Sequence, residues 1–152
     1  MPSFRTTRKV RHSAREMFDL VADVEAYPQF VPLCLDLKLR RKTEDAGVVT
    51  KVAQMTVGYK ALRETFTSRV ACDPQALQIM VSYVDGPFRR LENRWSFRDE
   101  RPGASVIEFE IAYEFRSPAL GLLMGGVFDK AFRKFAEAFE QRADYVYGAS
   151  LT

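Results

Sequence analysis

Few residues able to do chemistry are placed to act together. His12 is the single histidine, and Cys34 and Cys72 stand far apart with no metal-ligand spacing. A lone imidazole excludes most histidine-based metal sites and argues against Ser-His or Cys-His nucleophilic catalysis. Two polar residues interrupt otherwise apolar strand faces. Glu64 shares the parity of Leu62 and Phe66, and Asn93 falls between Leu91 and Trp95. An unpaired buried carboxylate is costly, so Glu64 is paired, solvated at a strand end, or functional. As a polar pair at one end of an apolar pocket, Glu64 and Asn93 would hydrogen-bond the oxygens of a ligand head group; a β-bulge that shifts the register removes that argument. General acid–base work would fall to Glu64, Tyr83 or Tyr113, none with an evident partner. The pattern points to a binding protein and not an enzyme, with no metal and no resident cofactor.

The stretch Asp85-Gly86-Pro87-Phe88, continuing through Arg89-Arg90-Leu91 to Trp95-Ser96-Phe97, places a tight turn before a strand with Leu91, Trp95 and Phe97 on its apolar side. Glycine accepts unusual backbone angles and proline locks φ while donating no hydrogen bond. The chain carries 12 Phe, 6 Tyr and 1 Trp. Such residues build a packed core or line an apolar cavity, and periodicity does not separate the two.

The chain of 152 residues suffices for one domain, expected over 1–152, with a substantial core. A net charge of +3 does not announce nucleic-acid binding, and no DNA partner is expected. Arg40-Arg41-Lys42 and Arg89-Arg90 are the compact basic groups and read first as solvated strand ends. Met1 to Arg5 contain no apolar run of a secretory signal, and Leu120 to Phe128 is too short to span a bilayer. The expectation is a cytoplasmic protein with reduced thiols, peripheral at most to the inner membrane.

The elements that must position these residues read as strand, two short helices, six strands and a long helix. Residues 3–11 form the first strand. Ser13 and Glu16 form a capping box, and a second short helix starts near Val24 or Glu25, kept short by Pro28 and Pro32. Leu33, Leu35, Leu37 and Leu39 alternate with polar residues as a half-buried strand. Residues 48–57 follow, with both registers half apolar so that the inward face stays open; Gly58 ends that strand. Leu62, Phe66 and Val70, then Leu77, Ile79, Val81 and Tyr83, then the Trp95 strand, then Ile107, Phe109, Ile111, Tyr113 and Phe115 complete an antiparallel meander. Ser117-Pro118 opens one helix running to about Tyr147, with Phe128, Phe132, Phe135 and Phe139 in a single stripe. That stripe must bury against the sheet, and Gly125, Gly126 and Ala131 leave room for a cavity between them.

Asp23-Val24-Glu25-Ala26-Tyr27-Pro28-Gln29-Phe30-Val31-Pro32-Leu33-Cys34, the Asp85–Leu91 stretch with Trp95 and Phe97, Gly126-Val127-Phe128, and Ala138 to Ala143 together resemble the coenzyme Q-binding START-like family, which includes the bacterial ribosome-association toxins. The likeness runs from about Ser3 to Tyr147. It implies an α+β helix-grip fold, a curved antiparallel sheet of about seven strands wrapped on a long C-terminal helix. It also implies a ubiquinone or related polyprenyl lipid held between sheet and helix, delivered rather than transformed, in support of respiratory electron transport. The other function it implies is binding to the large ribosomal subunit to block subunit association. In the lipid reading Trp95, Phe97, Phe109, Ile111 and Tyr113 line the floor, with Leu62, Glu64, Phe66 and Asn93 beside them and Met124, Val127, Phe128 and Ala131 on the helix. Tyr27, Pro28, Phe30, Val31 and Pro32 form either a lid that touches a membrane or a permanent plug.

Overall fold

The computed structural model describes residues 3–148. Strand β1 (Ser3–Val10) leads into helix α1 (Ala14–Ala22) and a 3₁₀ segment (Val24–Gln29). Strands β2 (Cys34–Asp45), β3 (Val48–Tyr59), β4 (Leu62–Asp73), β5 (Gln78–Asp85), β6 (Phe88–Arg101) and β7 (Ala104–Phe115) follow, then helices α2 (Pro118–Arg133) and α3 (Phe135–Tyr147). The seven strands form one antiparallel sheet in the order β1-β7-β6-β5-β4-β3-β2. Each strand of the meander pairs with its predecessor, and β1 closes against the last of them.

Local chemistry starts both helical regions. Ser13 Oγ accepts from the Glu16 amide at 3.1 Å while Glu16 Oε1 accepts from the Ser13 amide at 3.0 Å, the reciprocal capping box. Ser117 caps α2 by accepting from the Leu120 amide, with Pro118 in the first turn, where a missing amide hydrogen costs nothing. At the far end of α1, Lys51 reaches inward from β3 and donates to the Ala22 carbonyl at 2.7 Å, placing a cation on the negative end of that helix. That contact also fixes the inward face of β3, which carries Ala53, Met55 and Val57.

The turn between β5 and β6 needs glycine. Gly86 has φ +141°, and a Cβ there would lie 2.5 Å from Phe66 Cβ.

Three features depart from the sequence pattern. Leu35 is 47% exposed whereas Cys34 is buried, because a bulge between Cys34 and Asp36 shifts the alternation by one residue. Gly58 does not end β3: it pairs with Arg63, and its missing side chain admits Leu35, whose Cδ1 would sit 2.4 Å from a Cβ. The C-terminal helix is interrupted at Lys134, whose φ −99° and ψ −2° lie at the margin of the α-helical region. Its amide donates to the Ala131 carbonyl at 3.0 Å in a tightened turn, and the α-ladder resumes with Ala138 donating to the Lys134 carbonyl at 2.9 Å. Phe132 and Phe135, on either side of the break, keep their rings edge-on at 5.3 Å. The sheet carries further bulges in β5, at Val84, and in β6.

The core sits between the helices and the inward face of the sheet. Trp95 packs against Phe109 at 4.7 Å, Phe139 at 5.1 Å and Phe97 at 6.1 Å between ring centroids. At the other end Phe88 meets Phe115, Phe66 and Phe128 within 6 Å. Cys34 and Cys72 are both buried and free.

Candidate functional site

Between these two aromatic clusters lies an internal cavity. Its volume is about 80 Å³, far less than the bulk of a long-chain lipid. The sheet supplies Leu37, Met55, Phe66, Val70, Leu91 and Ile111, and the helices supply Phe128, Ala131, Phe132, Phe135 and Phe139. Such a wall rewards burial of a flexible apolar chain and offers almost nothing to a charged one.

The polar exceptions are few. The Asn93 carboxamide oxygen accepts from Trp95 Nε1 at 2.9 Å, and its nitrogen donates to the Glu110 carbonyl at 2.9 Å. Ser68, buried, lines the same space from β4. Tyr27 donates its hydroxyl to the Val21 carbonyl, and burial raises its pKa well above the ordinary tyrosine range. Among the described residues the wall carries no carboxylate, histidine, cysteine or lysine. Burial also pushes the Cys34 thiol up to about 11, with the Asp36 carboxylate adding to the effect, and it raises Cys72. Both sulfurs are therefore held as thiols and are poor nucleophiles. Of the other two acid–base candidates, Tyr83 accepts from the Phe88 amide at 3.1 Å, and Tyr113 is buried against Phe132.

Of the residues expected to meet a ligand, Tyr27, Phe66, Asn93, Trp95, Ile111, Phe128 and Ala131 line the cavity. Phe97, Phe109, Tyr113, Met124 and Val31 are buried in the surrounding core rather than on the wall. Phe97 packs edge-on against Phe18, and Phe109 against Phe4 and Phe135. Pro28 sits inside the 3₁₀ segment, and Phe30 closes its end, edge-on to Phe139 at 5.0 Å and beneath the Arg142 guanidinium at 5.1 Å. Val127 lines a separate outer groove, and Leu62 lies at the start of β4, away from the wall.

The expected polar pair does not form. Asn93 aligns with Val81 and Val81 with Val70, while Glu64 lies six residues further along β4, about 20 Å away at the rise of a strand. Equal parity put both side chains on one face but carried no information on position along it.

Sequence reading missed several wall residues. Ser68 shares the parity of Phe66 and Val70, a signal that was available. Ala53, Met55 and Val57 had no such signal, because both faces of β3 are half apolar. The Tyr27–Pro32 segment is tied down by Val31 donating to the Tyr27 carbonyl at 2.8 Å and Arg142 donating to Gln29 at 2.7 Å.

A seven-stranded antiparallel sheet folded around a long C-terminal helical region, with an apolar cavity between them, defines a START-like protein. The chain belongs to the family described as polyketide cyclase / dehydrase and lipid transport, which it matches over residues 10–140. It is 35% identical to the ribosome association toxin RatA of Escherichia coli K12, over 98% of this chain and 91% of the toxin. It is 33% identical to the mitochondrial coenzyme Q-binding protein coq10 of Schizosaccharomyces pombe, over 92% of this chain and 85% of that protein. The solution structure of an 18 kDa protein from Caulobacter crescentus superposes with a TM-score of 0.78 at 36% identity, covering 98% of this chain and all of that one. Among the described residues no helix is long and apolar enough to cross a membrane.

Proposed function

We propose that the cavity binds a lipid with a long apolar chain and a compact uncharged head, a polyprenyl quinone of the ubiquinone type, and that the protein carries it in support of respiratory electron transport. The observation that carries this reading is the chemistry of the wall: among the described residues it is apolar apart from the Ser68 and Tyr27 hydroxyls and a single carboxamide at Asn93. The name of the Schizosaccharomyces relative agrees with it. Affinity would come from burial of the chain, at roughly 25 cal/mol per Å² before the costs of ordering are subtracted. The Asn93 nitrogen has one hydrogen beyond the bond to Glu110, and that hydrogen would orient a quinone oxygen. At about 80 Å³ the cavity is too small for such a ligand at rest, so binding requires it to expand. Nothing on the wall supplies an acid or base for turnover.

The test is organic extraction of the purified protein with mass spectrometry, followed by ubiquinone titration. Ala131→Phe fills the cavity from its helical wall, and Val146→Trp, on the exposed end of α3, leaves both cavity and groove untouched. A quinone retained by wild type and Val146→Trp but lost in Ala131→Phe supports the carrier. Absence of uptake in all three overturns it.

A second reading rests on the outer face of the sheet, where Arg89, Arg90 and Arg94 line one shallow depression, and on the likeness to a named ribosome association toxin. In that reading the protein binds the large ribosomal subunit through phosphate contacts. Cosedimentation would then fall steeply with salt and with arginine-to-glutamate changes there, while Ala131→Phe would have no effect.

A further inference from the structure

Among the described residues, the first turns of α2 carry an apolar surface with no intramolecular partner. Leu122 is 89% exposed and Leu123 62%, while the next residue, Met124, is buried at 1%. Two adjacent leucines turned to water on a helix that otherwise buries its apolar side are a costly arrangement for an isolated molecule. They are not scattered. Leu122, Leu123, Gly126 and Val127 form one wall of an open groove, and Pro32, Leu33 and Tyr59 form the other. Tyr59 is itself 41% exposed, and Leu35, which packs at Gly58 beside it, is among the other exposed large apolar residues. Three distant segments of the chain thus converge on one apolar face.

Among the described residues, the charges that line the groove have one sign. Lys130 and Lys134 line the groove, the Lys60 ammonium lies 5.3 Å from the Tyr59 ring centroid, and no carboxylate lines the groove. Lysine stems lie along apolar surface while their ammonium groups seek anions, which places them at the level of lipid head groups when leucines insert below. The groove adjoins the cavity, with Pro32, Leu33 and Ala131 forming the partition between them.

We propose that this face, with Leu122 and Leu123 as inserting residues and Lys60, Lys130 and Lys134 as head-group contacts, docks onto an anionic phospholipid bilayer and makes the groove the portal of the cavity. A ribosomal phosphate surface would use the lysines but leave both leucines in water. A two-fold contact with a second copy would bring the lysines of both molecules together. Only a surface that is apolar within and anionic at its boundary satisfies both features. As a portal it rests on the lipid-carrier reading; as a docking surface it does not.

The experiment is cosedimentation of the full chain with vesicles of phosphatidylcholine alone and of phosphatidylcholine containing phosphatidylglycerol. Wild type should pellet with the anionic vesicles and weakly with the neutral ones. Leu122→Ser combined with Leu123→Ser should lower partitioning by about tenfold or more, since two side chains lose their apolar insertion. Lys130→Glu and Lys134→Glu should each weaken it by about fivefold or more at low salt, with the loss shrinking as salt rises. All four positions are exposed, so circular dichroism and melting should be unchanged. Equal partitioning of wild type and the double serine variant overturns the proposal. So does a wild-type dimer in sedimentation velocity that the same substitutions dissociate, since a second copy would then cover the face. Ubiquinone uptake from detergent separates the two readings: docking without uptake removes the carrier alone, and uptake without docking removes the portal alone.

Discussion

Trp95 donates its indole N–H to the carboxamide oxygen of Asn93, two residues back on the same face of β6, at 2.9 Å. Indole nitrogen only donates, so this bond settles which end of the carboxamide is oxygen and leaves the nitrogen to serve the Glu110 carbonyl. The pair joins the aromatic floor to the one amide on the cavity wall.

Asn93→Leu leaves the buried indole N–H and the Glu110 carbonyl without their partner. Unfolding free energy should drop by about 1–3 kcal/mol. Chemical denaturation measures it, and an unchanged midpoint would show that water takes over the bonds. Quinone affinity should fall with it if the amide orients the head group.

Trp95 is the only tryptophan and lines the cavity, so its fluorescence reports occupancy. Ubiquinone should quench it with saturation. In Ala131→Phe the quench should vanish while the emission maximum stays blue-shifted, because Trp95 remains buried. A quench that survives the filled cavity would place the ligand elsewhere.

Alkaline pH should destabilise the fold. Burial raises Cys34 from the ordinary thiol value to about 11 and raises Cys72, Tyr27, Tyr83 and Tyr113 in the same direction. The unfolded chain then loses these protons first. The stability they contribute is complete below about pH 9 and is lost as pH rises through the folded values. Melting temperature should therefore fall between pH 9 and 11, and Cys34→Ala should make that fall shallower. A flat profile over that range would contradict the burial of these groups.

Gly125 and Gly126 lie inside α2, and a Cβ at either would meet nothing within 4 Å. Packing does not require glycine there, and each costs a helix interior about 1 kcal/mol relative to alanine. Gly125→Ala and Gly126→Ala should each raise the melting temperature by about 2–4 °C. If this wall moves to admit ligand, they should also slow quinone uptake in stopped-flow fluorescence. Faster uptake would argue that the opening lies at the Tyr27–Pro32 end.

The closing contacts at that end were partly legible. Prolines at 28 and 32 announced a short, bent segment, but one of the bonds that hold it comes from Arg142, more than a hundred residues away. The break at Lys134 had no signal, since no proline or glycine lies at that position.

From its own pattern the chain determined the strand alternation, both serine caps, the Gly86 turn and the aromatic stripe, since each depends on neighbours within a few residues. Those local rules place Leu91, Asn93 and Trp95 on one face and Phe128 opposite them. Tertiary structure alone decided which face of β3 looks inward, that Leu35 turns out at a bulge, that Glu64 and Asn93 lie far apart, and that Leu122 and Leu123 meet Tyr59 across a groove. Each of these depends on register between distant strands or on packing across the sheet, and period-two alternation is blind to sliding along a strand.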